Sequence, residues 1–323
     1  MRRAAPWVCG FALFATIAVG ASFEQVASIA LPGGKGRIDH MAYDAKHGRL
    51  FVVETGNGSV AVVDINARRL VRRIDGLAEP QGVAYLEGLD RLLVTTHGDG
   101  SLRAFEAGSF ELAGTLRLGL HADNIRIDET TGRIYVGFGE GALAVVDALS
   151  FKWLAQIPLR GHPESFAISP ADQRVYVNVP DAGEIAIVDP AGKRQIGAWP
   201  TDDLHANYPL TRDNEHGAIL VAYREPAKVA RYRIATGKLA SVVDTCKDAD
   251  DLFLDSKRSR LYVVCGEGMI DIFQDDSLKR LGRFTTAPGA RTGLLAPGAD
   301  LMFVGVRAEG ARDAEIRVLK PAD

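Results

Sequence analysis

The chain has 323 residues, a formal net charge of −3 and 47% apolar residues. A mildly acidic balance disfavours nucleic acid as a partner, and the apolar content is ample for a packed core. No CxxCH haem site, CxxC redox pair, P-loop or GxSxG elbow occurs, so neither haem nor a nucleotide is expected as cofactor. The chain opens on Arg2-Arg3, and Ala4–Ala21 is apolar or small throughout. A positive start, a short apolar run and the small residues Val19-Gly20-Ala21 together read as a signal peptide over 1–21. The run is too short and too rich in Ala and Gly for a membrane span. Cys9 lacks the residues that lead into a lipidated cysteine. The expected mature chain is therefore 22–323, periplasmic or secreted, and the loss of two arginines takes its formal charge from −3 to −5.

From there one phrase recurs seven times: a hydrophobic strand, a Gly/Asp/Asn turn, a second hydrophobic strand often closed by Asp, and a weaker strand. The triplets that open it begin at Leu50, Leu92, Ile134, Val175, Ile219, Leu261 and Leu301, spaced 40 to 44 residues apart. Several short strands at that period mark a β-propeller blade. In the first copy Met41–Tyr43 is the inner strand, Ala45–Gly48 a turn, and Leu50–Glu54 the second strand. Gly56-Asn57-Gly58 reads as a tight hairpin with φ > 0, Val60–Asp64 as the third strand and Leu70–Ile74 as the outer one. Further third strands are expected at Leu102–Phe105, Leu143–Asp147, Ile185–Asp189, Val229–Ile234, Ile270–Phe273 and Ile316–Leu319. The predicted blades span about 38–75, 80–117, 122–159, 162–199, 203–243, 248–284 and 288–319. The last copy ends without a fourth strand, and Gln25–Leu31, within 23–31, has no blade of its own. The fold expected is all-β, a single seven-bladed ring closed by the mature N-terminal strand joining the last blade.

Tyr176-Val177-Asn178-Val179, followed by Ile185-Ala186-Ile187-Val188-Asp189, resembles the phrase of the YVTN/YncE-like bacterial β-propellers. Ser59–Asp64 and Ala142–Asp147 match its second half, and the likeness runs through nearly the whole mature chain. What the resemblance implies is a blade. Function does not follow, because the same ring hosts lactonases, lyases, redox subunits and plain binding proteins. The Trp-Asp pair of WD40 blades and a kelch-type Gly-Gly are both absent.

A propeller gathers function where its inner strands begin, around one mouth of the channel. Eleven residues before each triplet stand Asp39, Gln81, Asp123, Glu164, Tyr208 and Asp250, with Arg291 ten before the last. The following positions hold His40, Gly82, Asn124, Ser165, Pro209, Asp251 and Thr292, with His162, His205 and Asn207 nearby. Turns after the second strands add Glu54, His97, Glu140, Arg224, Glu267 and Arg307. The candidate ligand-binding set is Asp39, His40, Gln81, Asp123, Asn124, Glu164, Tyr208, Asp250, Asp251 and Arg291.

Three chemistries fit that set. Carboxylates with Asn suit a hard divalent cation such as calcium or magnesium, and adding His40, His162 or His205 suits zinc or another borderline metal, with His40, Asn124, Glu164 and Asp251 as the candidate ligands. Asp250 and Asp251 beside His205, with Arg291 opposite, could carry acid–base catalysis of lactone hydrolysis or β-elimination. A charged ring could also simply bind a small anionic or zwitterionic ligand or a loop of another protein. The leading expectation is an exported monomer that binds a small molecule or protein at its channel mouth. The alternative is a metal-assisted, lactonase-like hydrolase or lyase acting on a small lactone or sugar-derived compound. An inert reading stands beside these, since Asp and Asn at inner-strand starts often only cap turns. Cys246 and Cys265, both in the sixth blade, leave open a disulfide or two free thiols.

Overall fold

A computed structural model describes residues 21–323; nearly all of the expected signal peptide lies outside the described residues. Seven four-stranded antiparallel sheets form the ring of a seven-bladed β-propeller. In blade 1 the strands are Ile38–Asp44, Arg49–Glu54, Ser59–Asp64 and Arg69–Ile74, counted outward from the channel. No helix among the described residues is long and apolar enough to cross a membrane.

The two middle strands of each blade are apolar on both faces because each face meets a neighbouring blade. Leu50, Phe51, Val52 and Val53, with Val60, Ala61 and Val63, are completely buried. Their outer partner Arg69–Ile74 is mostly exposed and accordingly carries three arginines. The core is split into seven apolar clusters, one at each seam between adjacent blades. Stability is therefore shared around the ring, and every seam depends on the blades beside it.

Third strands end on Asp for a local reason. The carboxylates of Asp64, Asp147 and Asp189 accept backbone N–H bonds from Ala67, Ser150 and Gly192, at 2.8, 2.9 and 3.2 Å. Each bond reverses the chain into the outer strand. The expected φ > 0 hairpin at Gly56–Gly58 takes another form. Thr55–Asn57 is a 3₁₀ turn, and only Gly58, at φ 64°, enters the left-handed region. Gly56 is needed for a different purpose, since a Cβ there would lie 2.4 Å from the Lys35 carbonyl oxygen.

Ring closure runs through both chain ends. Phe23–Leu31 pairs antiparallel with Ala314–Pro321, with Phe23 opposite Pro321 and Leu31 opposite Ala314. Phe23 packs on Tyr262 and Phe284 of blade 6, with ring centroids 4.9 and 5.6 Å away. Ile29 and Leu31 fill the seam between blades 7 and 1.

In this structure Cys246 and Cys265 form a disulfide, with Cα atoms 5.9 Å apart and a sequence separation of 19. It ties the segment entering blade 6, just before Asp248 and Asp250, to the end of that blade's second strand, Arg260–Cys265. Closing a loop of this length stabilises by about 3 kcal/mol in the chain-entropy model. A Cys246→Ala/Cys265→Ala variant should therefore melt several degrees below the wild type. An unchanged melting curve, with two free thiols titrated in the denatured unreduced protein, would contradict the bridge.

Candidate functional site

The inner strands carry the mouth residues on irregular backbone. In blade 1 the ladder pairs Ile38 with Glu54 and then Met41 with Val52, so Asp39 and His40 together oppose one residue. Gln81-Gly82 and Tyr208-Pro209 sit in equivalent bulges, and blade 6 breaks register between Ala249 and Asp251. In blades 3, 4 and 7 the strands begin later, at Ile125, Phe166 and Gly293. There a pair of backbone bonds does the same work: Asp123 N–H to Gly137 O at 2.9 Å and Gly137 N–H to Asn124 O at 3.0 Å in blade 3. A bulge turns a side chain out of the sheet and toward the channel. Gly82 allows this between blades 2 and 3, for a Cβ there would sit 2.3 Å from the Asp123 carbonyl oxygen.

All seven residues found by counting back along the repeat line one cavity of about 480 Å³, with His40, Asn124, Ser165 and Asp251. His97, Glu140, His162 and Arg224 join them from the turns and approach loops. Other named positions lie elsewhere. His205 is on the surface and outside the lining, so it does not stand beside Asp250 and Asp251. Asn207 is buried and donates to the Glu184 carbonyl at 3.1 Å. Glu54 is buried against Arg73 and Ser59, and Glu267 accepts from the Lys247 backbone N–H at 2.9 Å. Arg307 does not line the mouth cavity but a pocket beside it that shares Arg37 and Arg291 with the mouth. Arg291 stands beside Asp250, at 3.1 Å, rather than across from it.

Sequence reasoning missed Arg37, His121 and Arg126. Arg37 and Arg126 each lie two residues from a mouth position, a simple signal. His121 sits in an irregular loop between blades, where the repeat gives no register. Below the mouth the channel continues into a second chamber of about 490 Å³, lined by both polar and apolar residues, that shares His40 and Asp251 with the first. Arg126 lines that chamber. Its guanidinium donates to Ser165 Oγ at 3.2 Å and to the Ile125 carbonyl at 2.8 Å, and lies 5.6 Å from the Phe166 ring centre.

The lining carries six carboxyls, Asp39, Asp123, Glu140, Glu164, Asp250 and Asp251, against the three guanidiniums of Arg37, Arg224 and Arg291. All three guanidiniums are engaged. Arg37 pairs with Asp39 and also donates to Gln81 at 2.7 Å, while Arg224 and Arg291 both bridge Asp248 and Asp250. Arg224 further stacks 4.2 Å over the Tyr208 ring. Asp123, Glu164 and Asp251 have no guanidinium partner among the described residues. Asp123 approaches only His40, at 4.0 Å, and its Oδ1 is buried without a hydrogen bond. Asp251 accepts a single backbone bond, from Gly293 N–H at 2.8 Å.

Burial pushes the Asp123 carboxyl up to about 7, although His40 opposes the shift. Burial and then the nearby Asp250 charge raise Glu164 to about 7. Asp251 reaches about 7 through burial, again against the pull of His40. For His40 burial acts downward, but Asp39, Asp251 and Asp123 outweigh it and leave the imidazole above its ordinary value. The mouth thus holds three carboxyls and one imidazole that share protons near neutrality.

One close set of three metal-type ligand atoms occurs among the described residues, and it lies away from the mouth: Asp44, His47 and Asp90, all within 4.8 Å of one another. A guanidinium already serves it, since Arg49 contacts Asp44 at 2.6 Å and Asp90 at 3.6 Å. The mouth candidates His40, Glu164 and Asp251 do not form such a set as they stand.

Fold and cavity together define a seven-bladed β-propeller with a polar, charged channel mouth. No family model matches the chain, and no curated protein matches it.

Proposed function

We propose that this chain is an exported, YncE-like propeller that binds a small zwitterionic ligand at its channel mouth. The observation that carries the reading is the set of mouth carboxyls left without a guanidinium. Arg37, Arg224 and Arg291 of blades 1, 5 and 7 are engaged by Asp39, Asp248 and Asp250, whereas Asp123, Glu164 and Asp251 of blades 3, 4 and 6 have no guanidinium partner among the described residues. An ammonium group placed between Asp123 and Glu164 would supply the hydrogen bonds that Asp123 Oδ1 lacks. An acidic group at the other end would meet Arg224 and Arg291, already held in place by Asp248 and Asp250. A cavity of about 480 Å³ suits a molecule of amino-acid or amino-sugar size. A hydrated calcium or magnesium ion is the other cation that would fit, with Asp123, Glu164 and Asp251 as its acidic partners and His40 and Asn124 beside them.

Export draws support from the sequence of residues 1–21 and from a disulfide suited to an oxidising compartment. Membership of the YncE-like group rests on the strand phrase alone. A second reading is a hydrolase or lyase acting on a small lactone or sugar-derived compound. It is favoured by one observation, the carboxyls near 7, because an acid–base catalyst works best close to the ambient pH.

A thermal-shift screen of amino acids, amino sugars, sugar acids, lactones and divalent cations tests the proposal. Compounds with an ammonium group should raise the melting temperature of the wild type, and Glu164→Gln should abolish the rise. Stabilisation only by neutral or purely anionic compounds would overturn it. Turnover of a lactone, lost on replacing Asp123, Glu164 or Asp251, would move the assignment to the second reading.

A further inference from the structure

One wall of the mouth holds imidazoles that the proposed ligand does not use. His97 follows the second strand of blade 2, His121 lies in the loop leading to blade 3, and His162 in the loop leading to blade 4. The tip of the blade 3 hairpin, Gly139-Glu140, rises between them. The hydrogen bonds there fix which nitrogens carry protons. His162 Nδ1 lies 2.6 Å from the Gly139 carbonyl oxygen, which can only accept, so the proton is on Nδ1 and Nε2 keeps its lone pair. His97 Nδ1 lies 3.2 Å from a Glu79 carboxylate oxygen and donates to it. That leaves His97 Nε2 as an acceptor, facing His121 Nδ1 at 2.6 Å. His121 therefore donates from Nδ1 and, like His162, presents a bare Nε2.

His121 Nε2 faces the Glu140 carboxylate at 3.6 Å, one lone-pair donor against another. Such a pair lacks either a proton or a metal ion. Two imidazole lone pairs and a carboxylate on one wall are the donor set of zinc or another borderline divalent ion. Glu79 through His97, and the Gly139 carbonyl, occupy the outer positions that hold such imidazoles in one tautomer. The His121 and His162 ring centres are 6.4 Å apart, close to the roughly 5–6 Å expected for two imidazoles bound through Nε2 to one ion at about 2.0 Å. The three ligand atoms are not all within 4.8 Å of each other, so one must move. Glu140, whose side chain is 94% exposed, is free to do so.

We propose that His121, His162 and Glu140 form a binding site for a borderline divalent metal ion on the rim of the mouth, oriented by His97 and Gly139. Water or the anionic end of a ligand would complete its coordination. The site is separate from the carboxyls that would hold an ammonium group or a hard cation.

Tag-free protein titrated with Co²⁺ and Zn²⁺ tests this, read by the cobalt d–d spectrum and by zinc competition. One equivalent should bind with the intense bands of a nitrogen-ligated, low-coordinate ion. His121→Asn and His162→Gln should each weaken zinc by at least about tenfold, and His97→Gln by about tenfold through its orienting role. His121 sits at φ 60°, a conformation that Asn tolerates, so His121→Asn should melt as the wild type does. Glu164→Gln should bind cobalt unchanged, which separates this site from the ligand proposed above. A wild type that gives no nitrogen-ligated cobalt spectrum would overturn the proposal. Zinc affinity unmoved in a folded His121→Asn/His162→Gln double variant would overturn it equally, leaving a proton shared between His121 and Glu140.

Discussion

Deleting residues 22–31 should abolish cooperative unfolding. The closing strand does more than complete a ladder, because its side chains serve two seams. Phe23 is packed between Tyr262 and Phe284, and Ile29 and Leu31 are essentially inaccessible to water in the seam between blades 7 and 1. Burying three such side chains stabilises by roughly 6–9 kcal/mol, at about 2–3 kcal/mol each. That matches or exceeds half of a typical domain's whole stability of about 5–15 kcal/mol. The strand Ala314–Pro321 would also be left as an open edge beside an apolar seam, a surface prone to pairing with another chain. Circular dichroism melts should show a broad, low transition with aggregation. A truncated protein that melts like the full-length one would contradict a ring closed by this strand.

An Asp123→Asn/Glu164→Gln variant should be more stable than the wild type at pH 8 and no more stable at pH 5. Both carboxyls are held near 7 in the fold, against about 4 in an unfolded chain. Between those values the folded state binds more protons than the unfolded state, so these groups make stability fall as pH rises from about 4 to about 7. Asp251 acts in the same sense. His40, raised above its ordinary value, contributes stability that is full below about 6.5 and lost as pH climbs through its folded value. Opposite contributions lie lower on the scale. At Asp99 burial acts upward, but bonds from Thr96, Ser101 and Arg103 outweigh it and hold the carboxyl at about 2. That stability is lost only as pH drops below about 4 toward 2. The wild type should therefore melt highest near pH 5 and decline toward pH 8. At about 1.4 kcal/mol per pH unit over about three units, one ionised carboxyl of this kind costs roughly 4 kcal/mol. The two couple, so the pair should gain on the order of 4–6 kcal/mol at pH 8, several degrees in melting temperature. A double variant whose pH–stability curve parallels the wild type would refute this picture of the mouth.

The blade architecture was legible because each seam imposes the same demand on every repeat. Triplets such as Leu50-Phe51-Val52 and Leu261-Tyr262-Val263 are buried on both faces, which writes a strong period into the chain. Counting from them reached Asp39, Gln81, Asp123, Glu164, Tyr208, Asp250 and Arg291 at one cavity, since a fixed offset within a repeat is a fixed height in the ring. Proximity in sequence proved a poorer guide. His205 and Asn207 lie within three residues of Tyr208, yet one faces solvent and the other is buried under Glu184. A strand turns successive side chains to opposite faces, and the bulge at Tyr208-Pro209 resets that alternation. Glu54 was misplaced for another reason. It ends a second strand just as Arg224 nearly does, but Arg73 and Ser59 draw its carboxylate into the blade. Which acids are paired and which are bare depends on contacts between blades some forty residues apart, and no local pattern records them.

A cation entering the mouth should displace protons from its carboxyls. Isothermal titration calorimetry should use the amine-bearing compound that most raises the melting temperature, near pH 6.5, in two buffers of different ionisation enthalpy. Asp123, Glu164 and Asp251 are partly protonated there, so binding should release about one proton per ligand. In Asp123→Asn/Glu164→Gln both the affinity and the release should collapse. Binding with no buffer dependence, retained in the double variant, would contradict the role given to these carboxyls.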